Sequence, residues 1–525
     1  MVEQEGEARF TDWRYMTEGG RHVIFCRDHI SLAKGRDPPV GCRSLLRCRK
    51  EDLVSAMIQR DDECKAHSSD RKTQKPQSAD FDHVRDLIHP SLAPFVDSPD
   101  IARIDREMAQ SLFRRATESG KIILHRQKDW ELPEMDVKSS AEFVKDIQAT
   151  LMPDYRYPFV PPPPPSHETT HSCWAFEFKP KAGYISYSPF VDPRHRVKFS
   201  DCRFRLMQGY KQSPSMYNPL DFFSGDINRI RQSLQDLIQC PQNNLRIWKY
   251  HEETGLSSVD PGELSEARLD DAFHELLSAD DDRGRRDSIT EAVAHILHRE
   301  DFLSRLLALQ KLDWIDADGA IVLYEILKSK LPSKSVADIH ALIDNIYGVP
   351  NEKEAARRFH TMSNKLATQM IRSNPTPLPD SCGAPLMNLI DFITRFRSES
   401  CRKQRLSSFD LEEVHADCIR MAESLNVDEI IYLLRTWLLS LAMCDVSFFV
   451  SLQAVPSFST IESYLQSNKQ QREGNEVWGL VALANASFFY QIKVVDCDAK
   501  PASKLATRRK KEEIFVRAGT MRNVL

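Results

Sequence analysis

The sequence predicts a mixed fold of helices and strands, α+β or α/β, divided into two or more packed units. The chain has 525 residues, far more than a typical single domain contains. Apolar residues recur at helical spacing at Ile289, Val293 and Ile296, whereas polar and apolar residues alternate in strand fashion from Phe176 to Lys181. No internal repeat is evident, and the mixture of both signals favours these two fold classes.

Composition and charge limit the classes of partner. Hydrophobic residues make up 41% of the chain and charged residues 28%, as in ordinary folded proteins. The formal net charge of −5 argues against bulk attraction to nucleic acid or to an anionic membrane surface. Arg435 and Asp445 interrupt the apolar stretch from Ile430 to Val450, which favours a buried segment over a membrane span. We therefore expect no nucleic-acid partner and no membrane span.

The start of the chain and the cysteines indicate an intracellular protein. Residues Met1 to Arg9 are acidic and polar, with no apolar core behind them, so the sequence predicts no secretory signal. The 12 cysteines form no regular framework, which favours a reducing compartment, and their spacing does not indicate zinc. We expect the protein in the nucleus, the cytoplasm or both.

A proline run marks the clearest boundary in the chain. Pro158 and the run Pro161–Pro165 exclude a helix and an inner strand, so they predict an extended tether between two lobes. A plain linker is a better interpretation than a partner-docking motif.

Two charged segments have ordinary interpretations. Asp316, Asp318 and Glu325 fit positions of a calcium-binding loop, but Trp314 occupies the first ligand position, which argues against calcium. The basic run from Arg508 to Lys511 is typical of a solvated helix face or of a nuclear import signal.

Several common catalytic machines are absent from the sequence. It contains no Walker A loop, no H-R-D or D-F-G segment of a protein kinase, and no Rossmann G-x-G-x-x-G. It also lacks the G-x-S-x-G elbow of hydrolases and the H-E-x-x-H of zinc proteases. The sequence therefore disfavours an ordinary protein kinase and these other classes.

A glycine turn and a cationic strand near the start suit nucleotide phosphates. Gly19 and Gly20 precede the apolar run Val23–Phe25, so free backbone amides can approach a phosphate there. Arg47 and Arg49 share a face if their segment is a strand, and kinases hold ATP phosphates with a cation at this place. A plain hairpin turn and a solvated strand edge are the competing interpretations.

The richest motif of the chain, Phe176–Tyr184, follows the proline run and contains two lysines. As a strand, this segment sends Glu177, Lys179 and Lys181 to one side. Phe176 and Phe178 then face the core. A proline and a glycine stop the strand, and the lysines then form a fixed cationic site suited to phosphate. A charged surface strand is the bland alternative.

Isolated carboxylates near the end of the chain suit catalysis and metal binding. Asp445 lies inside an apolar segment, where a carboxylate is costly unless it is paired or used, so it is either a structural group or a general base. Asp496 and Asp498 share a face after two β-branched residues and offer the oxygen ligands that Mg²⁺ prefers. Lys500 and Lys504 become neighbours if a helix follows.

A polar cluster in the middle of the chain adds recognition groups. Arg203, Arg205 and Lys211 contribute positive charge, and a second group, Asn243, Asn244 and Arg246, contributes amide and guanidinium donors. A loop cap with a surface arginine is the competing interpretation of the second group.

Together these parts suit phosphoryl transfer, which depends on positioning and on stabilisation of charge. The cations outnumber those that ATP alone requires. A substrate with five phosphates carries about −8 to −10 near neutral pH, which such scattered cations would match.

These segments resemble the inositol-pentakisphosphate 2-kinase family. The resemblance rests on Glu177–Tyr184, which reads E-F-K-P-K-A-G-Y where the family has E-I-K-P-K-C-G-F. Four further segments support it in the same order, and together they span most of the chain: Pro219–Gly225, Gln242–Arg246, Leu309–Tyr324 and Asp496–Pro501.

The resemblance implies a two-lobed α+β fold, distantly similar to protein kinases. It implies an N-terminal ATP-binding lobe over residues 1–153 and a larger C-terminal lobe over residues 154–525. A mostly helical insertion linked to inositol phosphate binding would occupy about residues 255–430.

The same resemblance assigns roles to individual residues. The catalytic residues would be Asp445, which activates the 2-hydroxyl, and Lys179. The metal ligand would be Asp496. The ATP contacts would be Gly19, Gly20, Arg21, His22, Val23, Arg47 and Asp154. The substrate contacts would be Lys181, Lys211, Asn243, Arg246, Lys500 and Lys504.

The implied activity is transfer of the γ-phosphoryl of ATP to the 2-hydroxyl of inositol 1,3,4,5,6-pentakisphosphate, with Mg²⁺, by a monomer. Two alternatives remain open at this point: a protein that binds inositol polyphosphates without chemistry, and a kinase for another inositol phosphate. Asp445 and Asp496 together argue against the first. The absence of the P-x-x-x-D-x-K-x-G signature of broader inositol polyphosphate kinases argues against the second.

Overall fold

The structure is a computed structural model that describes most of the second half of the chain and several segments of the first. The described residues are 13–18, 22–27, 44–49, 88–97, 100–118, 146–159, 172–209, 214–251, 255–259, 285–344, 383–403, 410–455, 478–483 and 486–522.

These residues belong to two compact units. The first draws on Met1–Gln77 and Ser98–Thr169, and the second on Ser78–Asp97 and Thr170–Leu525. Each unit combines helices with an antiparallel sheet, which confirms the α+β class over α/β. The predicted lobe boundary after residue 153 and the predicted insertion at about 255–430 stay predictions.

The first unit contains a five-stranded sheet with the strand order β1-β2-β3-β5-β4. Its strands are β1 (Trp13–Glu18), β2 (His22–Arg27), β3 (Ser44–Arg49), β4 (Asp100–Asp105) and β5 (Asp146–Pro153). Helix α1 (Arg106–Glu118) follows β4 directly. Its Leu112 is buried in one apolar cluster with Val23, Phe25 and Leu46, because alternate residues of β2 and β3 point to the same face.

The second unit contains a six-stranded antiparallel sheet with the order β10-β11-β9-β6-β7-β8. Its strands are β6 (Ser172–Phe178), β7 (Leu245–His251), β8 (Gly255–Val259), β9 (Ser447–Ala454), β10 (Gly479–Ala482) and β11 (Ser487–Val495). The central strands β6 and β9 carry large buried side chains, and the rings of Phe178 and Phe448 stack 5.1 Å apart. The predicted inward direction of Phe176 and Phe178 is confirmed.

Helices form most of the remaining second unit, together with the turn His89–Leu92 and the 3₁₀ segment Pro193–Phe199. The helices are α2 (Arg203–Gln208), α3 (Pro219–Phe222), α4 (Ile227–Gln239), α5 (Arg285–Arg299), α6 (Phe302–Gln310), α7 (Asp316–Lys330), α8 (Val336–Asp344), α9 (Ala384–Lys403), α10 (Leu411–Glu423), α11 (Val427–Met443) and α12 (Ser503–Arg522).

The apolar stretch Ile430–Val450 divides into a buried helix and a central strand. Helix α11 begins with a capping box, in which Asn426 and Glu429 each accept a hydrogen bond from the other's backbone N–H, at 3.0 and 2.9 Å. It ends before Cys444, and β9 begins at Ser447. Among the described helices, none has the length and apolar character that crossing a bilayer requires.

Candidate functional site

Four neighbouring strands of the second sheet begin or end at the same edge. Strands β6 and β11 end there, at Phe178 and Val495, whereas β7 and β9 begin there, at Leu245 and Ser447. The register confirms it, because Phe178 lies opposite both Leu245 and Phe448. Polar residues just outside these strands therefore come together, although the sequence separates them by hundreds of positions. We call the charged set there the strand-end cluster: Lys179, Lys181, Asp445, Asp496 and Lys500.

Asp445 lies between two lysines of this cluster. Lys500 Nζ donates to Asp445 Oδ2 at 2.9 Å, and Lys181 Nζ donates to Oδ1 at 3.3 Å. The Asp445 side chain is 52% exposed, so the expectation of a carboxylate inside an apolar segment is wrong at this position. The reason is that α11 ends at Met443 and the chain reaches the sheet edge before β9 begins.

The charge on Asp445 is fixed by these neighbours. Burial by itself would raise the pKa of Asp445, but Lys500, Lys181 and Lys179 outweigh it and hold that pKa below its ordinary value. Burial, reinforced by Lys179 and Lys500, lowers the pKa of Lys181, although Asp445 opposes that shift. Asp445 is therefore an anion throughout the neutral pH range.

Lys179 and Asp496 form the second charge pair of the cluster. Lys179 Nζ lies 3.9 Å from Asp496 Oδ2, and both side chains are about one third exposed, at 32% and 39%. The Lys179 backbone N–H donates to Asn244 O at 2.8 Å, which ties the end of β6 to the start of β7. Asp496 has a positive φ of 60°, a left-handed conformation that Asp tolerates better than most residues.

The predicted alternation of Glu177, Lys179 and Lys181 along one strand is wrong. Strand β6 ends at Phe178, because Pro180 has no N–H to donate to a ladder and Lys181 adopts a left-handed φ of 61°. The two lysines instead lie in a loop after the strand. Asp496 and Asp498 also lie in a loop after a strand, since β11 ends at Val495.

Amide and guanidinium groups border the cluster on β7. Arg246 lies opposite Glu177 in the sheet, and burial raises the pKa of Glu177 while Arg246 opposes the shift. Asn243 is exposed. Asn244, which the sequence placed in the same polar cluster, is 1% exposed, and neither polar atom of its side chain has a hydrogen-bond partner among the described residues. A buried amide without partners is uncommon in proteins.

The remaining predicted site residues belong to other elements or lie outside the described residues. Lys504 is exposed in the first turn of α12. In the first unit, Val23 is buried in β2, Arg47 lies in β3, and Asp154 forms an ion pair with Arg156 at 2.5 Å. His22 lies in the described backbone of β2. Gly19, Gly20, Arg21, Lys211 and the run Pro161–Pro165 lie outside the described residues.

Two of the sequence motifs pack directly on each other. A Cβ atom at Gly183 would lie 2.2 Å from Phe223 Cδ2, so only glycine allows this approach. Tyr217 OH donates to Pro180 O at 2.9 Å. The segment that carries Lys181 is therefore held against the α3 region from both ends.

We expect Gly183→Ala to destabilise the second unit by about 1–3 kcal/mol, because the new methyl group overlaps the ring of Phe223. The melting temperature of the purified variant measures this effect. Combining it with Phe223→Leu should restore part of the loss, and Phe223→Leu alone is the control. Equal melting temperatures for Gly183→Ala and the wild type would contradict the packing described here.

A buried ion network is centred on Lys198 and was not predicted from the sequence. Lys198 Nζ, 3% exposed, lies 2.7 Å from Asp316, 3.0 Å from Asp318 and 2.9 Å from Glu512. The acidic pair that resembled a calcium loop therefore binds a lysine, which fills the place between these carboxylates. No local sequence pattern indicates this network, because Lys198 and its partners lie more than a hundred residues apart in the sequence.

The basic run at the C-terminus takes part in the same network. Arg508 Nε lies 2.9 Å from Glu512, and its guanidinium stacks 5.7 Å from the ring centre of Trp437. Arg203 also pairs with Glu512, at 2.6 Å. Arg508 is therefore an anchor of α12, which corrects the expectation of a solvated face at this position.

Comparison with known proteins identifies the family of this chain. Residues 15–514 match the protein family described as inositol-pentakisphosphate 2-kinase. The chain belongs to the inositol-pentakisphosphate 2-kinase family. The motif Glu177–Tyr184 that first suggested the family supplies Lys179 and Lys181 of the strand-end cluster, and Asp496–Pro501 supplies Asp496 and Lys500.

Three proteins named inositol-pentakisphosphate 2-kinase show low to moderate identity to this chain. The inositol-pentakisphosphate 2-kinase of Arabidopsis thaliana is 24% identical over 377 residues, which cover 65% of this chain and 77% of that protein. One from Oryza sativa subsp. japonica is 30% identical over 198 residues, or 35% of this chain and 43% of that protein. One from Danio rerio is 40% identical over 79 residues, or 14% and 16%. The rice and Danio matches thus span less than half of those relatives.

Proposed function

We propose that this chain transfers the γ-phosphoryl of ATP to the 2-hydroxyl of inositol 1,3,4,5,6-pentakisphosphate and so makes inositol hexakisphosphate. One observation carries the proposal beyond family membership: Asp445, an ionised carboxylate, lies between Lys181 and Lys500 at a sheet edge. A carboxylate that accepts a proton and cations that hold phosphates are the groups this reaction needs.

Asp445 would act on the acceptor hydroxyl. Its low pKa keeps it ionised, so it accepts a hydrogen bond from the 2-hydroxyl. It takes the proton as the hydroxyl oxygen bonds to the γ-phosphorus and the bond from that phosphorus to the β–γ bridging oxygen breaks, releasing ADP. Lys181 and Lys500 would then exchange part of their contact with Asp445 for substrate phosphates. Lysine suits this exchange because its three donors lie on a flexible stem.

Mg²⁺ fits Asp496 and does not fit the buried acidic group. Mg²⁺ binds through one or two protein carboxylates plus phosphates and water, and Asp496 offers a partly exposed carboxylate at the edge of the cluster. In the buried trio of Asp316, Asp318 and Glu512, Lys198 already provides the positive charge. When bound, Mg²⁺ would neutralise charge on the nucleotide phosphates.

We expect Asp496→Asn to lower kcat by about 100-fold at limiting Mg²⁺ and to raise the Mg²⁺ concentration needed for half-maximal rate, because a metal ligand loses its charge. A titration of rate against Mg²⁺ measures both effects. Asp391→Asn, at an exposed carboxylate on α9 outside the strand-end cluster, is the matched control. Equal losses in the two variants would contradict the assignment of the metal to Asp496.

The proposed reaction is tested by turnover and binding measured in parallel. The wild-type protein, ATP and Mg²⁺ are incubated with inositol 1,3,4,5,6-pentakisphosphate, ADP release is followed, and affinity for the same compound is measured by calorimetry. Turnover supports the proposal. Tight binding without turnover would indicate a polyphosphate receptor, and faster turnover of an inositol phosphate with fewer phosphates would indicate a different kinase.

Several parts of the proposal rest on the family resemblance. A two-lobed kinase-like fold, a monomeric state and a location in the nucleus or cytoplasm stay predictions. So do the remaining assigned contacts, which are Gly19, Gly20, Arg21, His22, Val23, Arg47 and Asp154 for ATP, and Lys211, Asn243, Arg246 and Lys504 for the substrate.

A further inference from the structure

A single buried amide links the two loops that carry Lys181 and Asp445. Gln310, the last residue of α6, is fully buried. Its Oε1 accepts from the Gly183 backbone N–H at 2.9 Å, and its Nε2 donates to Lys181 O at 2.9 Å and to Met443 O at 3.1 Å. The amide therefore uses both of its ends, and every contact is to the backbone.

The three hydrogen bonds of Gln310 lie next to the two charged residues Lys181 and Asp445. Two of them hold the loop on either side of Ala182, directly at Lys181. The third holds the end of α11, two residues before Asp445. Lys181 has a left-handed φ of 61°, a conformation that costs free energy unless its surroundings maintain it. A hydrogen bond to its own carbonyl is such a constraint.

Helix α6, which carries this amide, is packed into the core of the second unit. Phe302, Leu306 and Leu309 of α6 are buried in the main core of the second unit. Ser440 of α11 donates its hydroxyl to Gln310 O, and Tyr184 donates to Asp313, three residues after Gln310, at 2.8 Å. The side chain of Gln310 is thus bonded to the loop after β6 and to the end of α11, and its backbone is bonded to α11 as well.

We infer that Gln310 is a positioning residue that sets the distance between Lys181 and Asp445 for phosphoryl transfer. This inference rests on the proposed function. Gln310 touches neither side chain and acts through the backbone of each loop. Leucine at this position has nearly the same volume but makes none of the three hydrogen bonds. The loop that carries Lys181 and the end of α11 next to Asp445 would then no longer be bonded to the same side chain.

We expect Gln310→Leu to lower kcat by about 10- to 100-fold, because displacement of a reacting group by about 1 Å costs about 100-fold in rate. The KM for ATP should change by less than about threefold, since none of the contacts of Gln310 involves the residues assigned to ATP. Gln453→Met is the matched control: Gln453 is equally buried but lies at the opposite end of β9 from Asp445. Melting temperatures of both variants account for any general loss of stability.

A double-mutant cycle separates positioning from general support of the fold. If Gln310 acts by setting the Lys181–Asp445 pair, its replacement should cost less than about threefold in the Lys181→Met background, because that pair no longer exists. Additive losses in kcat would overturn the inference, as would an equal loss of kcat in Gln453→Met. Should Gln310→Leu not fold, Gln310→Glu retains the acceptor for Gly183 and serves in the same cycle.

Failure of the proposed reaction leaves this inference testable. If the wild type binds inositol 1,3,4,5,6-pentakisphosphate but does not phosphorylate it, the cycle is measured in Kd. We then expect Gln310→Leu to weaken binding in the wild-type background and to have no further effect in the Lys181→Met background. Additive losses in Kd would overturn the inference independently of any activity.

Discussion

Asp445→Asn is expected to lower kcat by about 100- to 10,000-fold, the range over which a positioned general base contributes. Asparagine has the same shape but takes no proton, so the 2-hydroxyl would attack without a base. Lys181 and Lys500 remain, at 3.3 and 2.9 Å from the replaced group, and they lose a competing anion. Affinity for inositol pentakisphosphate should therefore be retained or increased. Steady-state kinetics and calorimetry measure the two quantities.

The control for this variant is Asp391→Asn, an exposed carboxylate on α9 that lies outside the strand-end cluster. It should leave kcat within about twofold of the wild type, as an ordinary surface substitution does. Retention of wild-type kcat in Asp445→Asn would remove Asp445 as the base. A loss of substrate binding together with kcat would instead make it a structural partner of the two lysines.

Lys198→Met is expected to destabilise the protein by about 3–5 kcal/mol, the range observed when one partner of a buried ion pair is removed. Methionine fills similar space but leaves Asp316, Asp318 and Glu512 without their shared cation. Burial by itself would raise the pKa of Glu512, but Arg203, Lys198 and Arg508 outweigh it and lower that pKa to about 2. Denaturant unfolding at neutral pH measures the loss.

The pH dependence follows from the sign of that shift. Because the folded pKa of Glu512 lies below its ordinary value of 4.5, the stabilisation is complete above that pH and is lost as the pH falls toward about 2. The difference in stability between wild type and Lys198→Met should therefore narrow in acid. Arg194→Met, which disrupts an exposed pair with Asp192, is the control and should have little effect. Equal stability of the two variants would contradict a tightly coupled network.

The residue types of the site could be predicted from the sequence, but its geometry could not. Lys179, Lys181, Asp445, Asp496 and Lys500 were identified from motifs, and the structure brings all of them to one sheet edge. The predicted strand was too long at this edge. The alternation of charged and other residues continues in the sequence to Lys181, but Pro180 and the left-handed Lys181 end the strand. A local pattern does not show where the ladder stops.

Long-range partners explain the remaining differences. The sequence placed Gln310 in a helical pattern and in a family-like segment but indicated none of its contacts, because an amide at the end of an apolar helix has no distinctive local signal. Lys198 and Glu512 are separated by more than 300 positions in sequence, so nothing near either residue predicts the pair. Asn244 and Asn243 were indistinguishable in sequence, and only the fold shows which one is buried.

The structure of the product is the most direct test of the central claim. Inositol 1,3,4,5,6-pentakisphosphate has one free hydroxyl, at carbon 2, so a kinase can phosphorylate that hydroxyl or extend an existing phosphate. We expect the ³¹P spectrum after incubation with the wild-type protein, ATP and Mg²⁺ to show, besides the nucleotide signals, phosphomonoester signals only, with a new one coupled to the proton at carbon 2. A diphosphate signal on the inositol ring, or no new inositol phosphate at all, would contradict the account.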